Sequence, residues 1–255
     1  MLRRRSLMGG GPKDYIEFAN EKLGAFFAQK YGDGIGITYE QAAAVTSFDF
    51  WLYDQLGSDF GAFTFDEINY FTGLVSIYDN FYYNRSYDQS QGMTISRLAL
   101  PNLESIGYDA FFYCNILEVD CPKLKTMDTG SFRASGTKRF ILGDAYTSSA
   151  ANGPINYNED LEYLYFSNLQ SIDDYHVVFG CTNANLKVYI ATPSGVPTIN
   201  VSTYKPDTDP WHYIWGFVYG TVETNAKLYV PSNLVSAYKA AGAPWTTAFV
   251  SINAI

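Results

Sequence analysis

Asp128 opens the triplet Asp128-Thr129-Gly130, the local pattern of an acid protease. That chemistry needs two carboxylates sharing one proton, each kept from ionising fully by the other. The chain holds one copy of the triplet, so Asp128 reads as a polar turn residue. The two histidines, His176 and His212, stand 36 positions apart without a partner motif, and a histidine base needs both a nucleophile and an orienting acid. The GxSxG, HExxH and phosphate-loop patterns do not occur. Glu159-Asp160 and Asp173-Asp174 supply carboxylates, so a glycan-cleaving enzyme with two of them facing across a cleft stands as the enzymatic alternative. Cys114, Cys121 and Cys181 lack metal-ligand spacing and read as core thiols. No catalytic residue, metal ligand or cofactor site follows from these residues, and the expectation is a protein that is not an enzyme.

Recognition chemistry is better represented. Aromatic residues make up 17% of the 255 residues, with 22 Tyr, 18 Phe and 4 Trp, more than a core of this size uses. Tyrosine and tryptophan give large contact areas with few torsions to freeze, which suits recognition surfaces. They concentrate in two stretches: Tyr78 to Tyr87, with Tyr82 and Tyr83, and Trp211 to Tyr219, with Trp211, Tyr213 and Trp215. Each stretch forms either a binding site or a small core of its own. The formal charge of −9 argues against nucleic acid, which is bound through a basic face that releases counterions. No segment has the length and apolarity to cross a bilayer.

The elements that position these side chains come from a repeat. Leu98-x-Leu100-Pro101-x-Leu103-x-x-Ile106 with Phe111 returns 21 residues later as Val119-x-Cys121-Pro122-x-Leu124-x-x-Met127 with Phe132, and a third echo covers Leu164 to Ile172. Self-similarity at this period marks a solenoid, whose coils bury their apolar sides only by stacking. The inward pairs are Leu98/Leu100, Val119/Cys121, Phe140/Leu142, Leu164/Phe166, Val188/Ile190 and Leu228/Val230, at steps of 21, 21, 24, 24 and 40. A poorer copy at Phe71 to Ile77 lies 29 residues before Leu100 to Ile106. The excess residues mark insertions near 78–94, 143–160 and 192–222.

Side chains alternate along a strand, so the same register gives the outward pairs. These are Arg97/Ala99, Glu118/Asp120, Arg139/Ile141, Tyr163/Tyr165, Lys187/Tyr189 and Lys227/Tyr229. Tyr165, Tyr189 and Tyr229 are equivalent and predict a tyrosine stripe flanked by Lys187 and Lys227, either a binding stripe or ordinary strand stacking. Ahead of the repeats, Asn20 caps a predicted helix with Leu23, Phe26 and Phe27 on one face and Gly32 at its end, and Thr38 with Gln41 forms a capping box. At the other end Ser232 is expected to cap a helix carrying Leu234, Val235 and Tyr238 that stops at Gly242, with Trp245 and Ile252 closing the last coil. The predicted organisation is a basic, Gly-rich tail at 1–13, a helical cap at 14–64, the solenoid at 65–230 and a C-terminal cap at 231–255.

Leu100-Pro101-Asn102-Leu103-Glu104-Ser105-Ile106-Gly107 with Ala110-Phe111 and Cys114 resembles the BspA-like class of bacterial leucine-rich repeats. Phe71-Thr72-Gly73-Leu74 and the closing run from Tyr229-Val230-Pro231 through Ala237-Tyr238-Lys239 to Trp245 are similar to that class as well, so the likeness covers about two thirds of the chain. The resemblance implies an α/β leucine-rich-repeat solenoid with a parallel sheet of short strands, an irregular outer face and helical caps at both ends. It also implies surface adhesion, the role for which the family is mainly known. Members often carry a calcium-loop-like segment between the N-terminal helices, but the ligand positions of the matching stretch hold Lys30, Gly32, Gly34, Ile35 and Gln41, a poor set for calcium.

The sequence therefore predicts a non-enzymatic recognition or structural protein that binds a host-surface glycan or protein. Met1-Leu2-Arg3-Arg4-Arg5 is basic, yet residues 6–12 supply no apolar signal core. The expected setting is a virion, as a phage fibre or tail appendage with Arg3, Arg4 and Arg5 anchoring it to other virion proteins. The alternative is a bacterial cell-surface adhesin. No cofactor and no membrane insertion are expected, and homo-oligomers are compatible with the fold.

Overall fold

A computed structural model describes residues 13–57, 61–144, 153–169, 171–172, 178–181, 183, 185–199, 218–219, 226–242 and 245–255. The chain winds as a parallel-strand β-solenoid. Its longest wall is an eight-stranded sheet made, from one edge to the other, of Phe63–Thr64, Met93–Ala99, Asn115–Cys121, Arg139–Asp144, Tyr163–Asn168, Lys187–Ile190, Lys227–Val230 and Ser251–Ala254. Leu98 lies beside Val119, Val119 beside Phe140, Phe140 beside Leu164, Leu164 beside Val188 and Val188 beside Leu228. The expected steps of 21, 21, 24, 24 and 40 residues are thus the pairing register, and all six inward pairs are buried. Two strands of this wall, Met93–Ala99 and Asn115–Cys121, run for seven residues and exceed the short strands expected.

The other walls are more ordered than an irregular outer face. Ser47–Phe48, Ser76–Ile77, Ser105–Ile106 and Thr126–Met127 form a second parallel ladder, in which Ile77 meets Ile106 at the expected offset of 29. Ile155–Asn156, Val178–Phe179 and Val218–Tyr219 form a third, and Ser171–Ile172 pairs with Thr198–Ile199. Turns upstream continue the third ladder: the amides of Tyr82, Phe111 and Phe132 donate to the carbonyls of Ala110, Ser131 and Pro154. The physical reason is that buried turn peptides need partners, and the next coil supplies them. Parallel pairing begins at Ser47–Phe48 and Phe63–Thr64, within the stretch 14–64.

Two corners have left-handed backbone, one through Tyr113, Ala134 and Tyr157 and the other through residues suited to it. The amide of Asn80 donates to Tyr108 and that of Asp109 to Thr129, which aligns Asn80, Asp109 and Gly130 in successive coils. Their φ angles are 54°, 47° and 67°, and Asn, Asp and Gly are the residues that enter this region at least cost. Inside, Phe111 stacks on Phe132 at 5.2 Å, with Phe81 and Phe140 continuing the column at 5.8 and 5.2 Å.

Both N-terminal helices form. In Glu21–Tyr31 the Asn20 side chain accepts from the Leu23 amide at 3.1 Å, and in Tyr39–Ala43 Thr38 and Gln41 close the capping box at 3.1 and 2.9 Å. The Phe27 ring enters the core against Phe48, Phe65 and Phe71 at 5.6, 5.3 and 5.0 Å. On the side away from Asn115–Cys121, Met93–Ala99 has only the two-residue strand Phe63–Thr64 beside it, and side chains cover the rest of that edge. Asp66 accepts from the Ser96 amide at 2.7 Å, while Asn69 accepts from the Ala99 amide at 2.6 Å and donates to the Arg97 carbonyl at 2.7 Å.

At the C-terminal end the helix begins at Val235 and runs to Ala241. Ser232 is not its cap: Ser232–Leu234 is a tight 3-10 turn, because the Leu234 amide bonds back to the carbonyl of Pro231 at 2.8 Å. Gly242 ends the helix with a φ of 71°, Trp245 meets the buried Tyr238 edge-on at 5.1 Å, and Ile252 takes its place beside Leu228.

Candidate recognition face

The outward side of the long sheet carries one continuous line of side chains. Tyr165, Tyr189 and Tyr229 are register neighbours, as expected, and Tyr163, Lys187 and Lys227 occupy the row beside them. The ring against Tyr189 is nevertheless the diagonal one: Tyr163 lies 4.9 Å from it, and Tyr229 stacks on it at 4.6 Å with planes 12° apart. The second spacing is close to the strand separation, so the sheet sets the stack. Arg139 lies over Tyr163 at 4.5 Å, and its guanidinium also approaches Glu118 at 3.8 Å. Arg97 pairs with Glu118 at 3.3 Å and with Asp120, extending the line across the neighbouring coils. The result is a ridge that passes from an ion-pair ladder into stacked phenols. Lys187 and Lys227 stand exposed beside it, and burial raises the Tyr163 hydroxyl pKa.

This geometry fixes what the ridge offers. Tyr229 covers one face of the Tyr189 ring, Tyr163 packs against that ring at a tilt of 33°, and Arg139 lies over Tyr163. The row therefore presents ring edges and hydroxyls to a ligand rather than flat faces. Arg97, Glu118, Asp120 and Arg139 belong to the ridge although no site role follows for them from sequence. Their signal is present as outward positions in the same register, but ion pairing between strands has no periodic signature.

The aromatic insertion at 78–94 spends most of its rings on packing. Tyr82, expected at a ligand surface, is 2% exposed and packs against Phe63 at 5.4 Å and Tyr53 at 5.8 Å. Its position beside the core phenylalanine Phe81 leaves the ring no route to solvent. Tyr83 is half-buried, stacked on Phe112 at 4.5 Å and hydrogen-bonded to the Tyr87 hydroxyl at 2.9 Å, which with burial pushes its own hydroxyl up to about 12. Trp211, Tyr213 and Trp215, the histidines His176 and His212, and Arg3, Arg4 and Arg5 lie outside the described residues.

Elsewhere Asp128 and Asp33 have structural partners. Asp128 accepts from the Thr129 amide at 2.6 Å, as a turn residue does. Asp33 accepts from Lys13 at 2.5 Å, Tyr15 at 2.7 Å and the amides of Ile35 and Gly36 at 3.1 Å. Those donors, Lys13 first, hold its carboxyl far below the usual range and occupy both oxygens. The three cysteines are buried and unpaired, and desolvation raises every thiol pKa, which suits packing rather than nucleophilic chemistry. Among the described residues no three His, Cys, Asp or Glu side chains converge as metal ligands. No described helix is long and apolar enough to cross a membrane.

Asp109 is a buried carboxylate of a different kind. It lies at the left-handed corner with Asn80 and Gly130, and desolvation pushes it up to about 6 against the opposing charge of Arg133. Its unfolded value is near 3.9. The folded state therefore binds the proton first as pH falls, so stability declines as pH rises from about 4 to 6 and stays lower above that window. Asp109→Asn keeps the shape and tolerates a φ of 47°. It is expected to raise stability at pH 7.5 by about 1–2 kcal/mol after allowance for solvent screening and the lost Arg133 attraction, with no gain at pH 4. Urea midpoints at the two pH values check this; an equal change at both would contradict it.

No protein-family model, curated protein or solved structure matches the chain.

Proposed function

We propose that this chain is a non-enzymatic recognition protein that binds a protein partner along the ridge Arg97–Glu118–Arg139–Tyr163–Tyr189–Tyr229. The single observation that carries the reading is the ring stack at 4.9 and 4.6 Å, continued by Arg139 and its carboxylates into one ordered line on a rigid sheet. Tyr and Arg are the residues enriched at energetic centres of protein interfaces, and here much of their freedom is already lost before binding. A glycan platform needs open ring faces, which the stack removes from Tyr189, so a protein partner is favoured over a sugar. In this reading the solenoid is of the BspA-like leucine-rich-repeat type, with the helices at Glu21–Tyr31 and Val235–Ala241 sealing its ends.

A cell-surface or virion setting fits such a wall, and the bacterial cell is the natural place to look for the partner. The test is adsorption of labelled protein to a panel of bacterial cells before and after treatment. Saturable adsorption that is lost after proteinase digestion and kept after periodate oxidation supports the reading. Loss after periodate with survival of proteinase would replace the protein partner by a glycan.

A further inference from the structure

The two edges of the long sheet are finished differently. At the N-terminal edge, Asp66 and Asn69 occupy the free peptide groups of Ser96, Arg97 and Ala99 beyond the short strand Phe63–Thr64. Among the described residues the opposite edge is Ser251–Ala254, paired on one side with Lys227–Val230 and last in the strand order. Natural sheets blunt a free edge with charges, proline or covering side chains. The side chains of Ser251-Ile252-Asn253-Ala254-Ile255 include neither a charged group nor a proline, and Val250 and Ile255, which flank the strand, are 58% and 60% exposed.

We propose that this edge pairs with the same edge of a second copy, giving a two-fold dimer with one sheet running through both solenoids. The Ile255 amide donates inward to Val230, so by alternation the amides of Ile252 and Ala254 point outward. In an antiparallel pair centred on Asn253, Ile252 of one copy lies opposite Ala254 of the other, and each such pair exchanges both its N–H···O bonds. Asn253 then lies opposite its own copy, its side-chain amide donating within its own chain to the Leu228 carbonyl and the Ser251 hydroxyl. The two-fold axis stands perpendicular to the sheet, so both tyrosine ridges fall on the same side. Head-to-tail growth is disfavoured because the N-terminal edge offers only the two-residue strand Phe63–Thr64, with Asp66 and Asn69 holding the peptide groups of Ser96, Arg97 and Ala99 beyond it, so the contact closes at two copies. The proposal is independent of what the ridge binds.

Sedimentation velocity on the full 255-residue chain tests it, over roughly 5–500 µM at pH 7.5, a range suited to a small interface. The wild type is expected to pass from monomer to dimer. Asn253→Asp and Asn253→Lys, each placing like charges opposite one another, are expected to be monomeric alone and to form a heterodimer when mixed. A wild type that stays monomeric throughout overturns the proposal. So do variants that still self-associate, or a mixture of folded variants that stays monomeric. Should either variant fail to fold, hydrogen exchange on the wild type decides instead. Protection of the Ile252 and Ala254 amides that grows with concentration supports the contact, and protection independent of concentration overturns it.

Discussion

Replacing Phe27 by alanine is expected to lower stability by about 3–5 kcal/mol, the cost of truncating a fully enclosed aromatic side chain. Phe27 is the hub of the N-terminal core. Its ring lies within 6.3 Å of those of Phe18, Phe26, Tyr31, Phe48, Phe50, Phe65 and Phe71, which come from the helix, the first coil strands and the turn between them. No single neighbour can move into the vacated volume without leaving its own stack, so the cavity remains and its cost is added to the lost burial. Domains are typically stable by about 5–15 kcal/mol, so a loss of this size removes a large share of that margin. Urea denaturation followed by far-UV circular dichroism measures it. Ile35→Ala, at a residue 74% exposed, is the control and should shift the midpoint little. A Phe27 variant that unfolds at the wild-type midpoint would show that the helix is not part of the cooperative unit.

Gly143→Ala is expected to cost about 3 kcal/mol, at the upper end of overpacking. Gly143 lies in the strand Arg139–Asp144, one residue past Leu142, whose register partner is Cys121. A Cβ there would stand 1.7 Å from the Pro122 carbonyl oxygen and 2.7 Å from the Lys123 nitrogen. These are backbone atoms, so no side-chain rotation relieves the clash and two coils must separate. The separation would break the sheet between Asn115–Cys121 and Arg139–Asp144 rather than trim one contact. Hydrogen exchange should therefore show faster exchange in those two strands, and a denaturation midpoint equal to wild type would contradict the expectation.

The long sheet was legible because its signal is periodic. Inward and outward residues alternate, and the register of Leu98, Val119, Phe140, Leu164, Val188 and Leu228 survives even the 40-residue gap before Leu228. The second and third ladders have strands of two residues, too short to show alternation, and their order comes from turn peptides bonding between coils. Asp66 and Asn69 read as ordinary polar residues, since their role depends on a 3-10 turn that aims them at a strand 30 residues away. In the ridge, sequence placed Tyr165, Tyr189 and Tyr229 in one row correctly but could not show that Tyr163 reaches across the diagonal to Tyr189. Tyr82 and Tyr83 illustrate the converse: an aromatic run marks either a surface or a core, and only the packing around Phe81 and Phe112 separates them.

The most direct test of the recognition account is adsorption to bacterial cells by the variant carrying Tyr163→Ala, Tyr189→Ala and Tyr229→Ala together. Removing the two stacks costs about 1–3 kcal/mol of stability, so circular dichroism must first show the variant folded at the assay temperature. Tyr87→Ala, at an exposed ring off the long sheet, serves as the control and should bind as the wild type does. The account predicts at least about a tenfold weaker adsorption for the folded triple variant, since rings at an interface centre carry most of its energy. Adsorption equal to wild type would contradict it and leave the tyrosines as sheet structure alone.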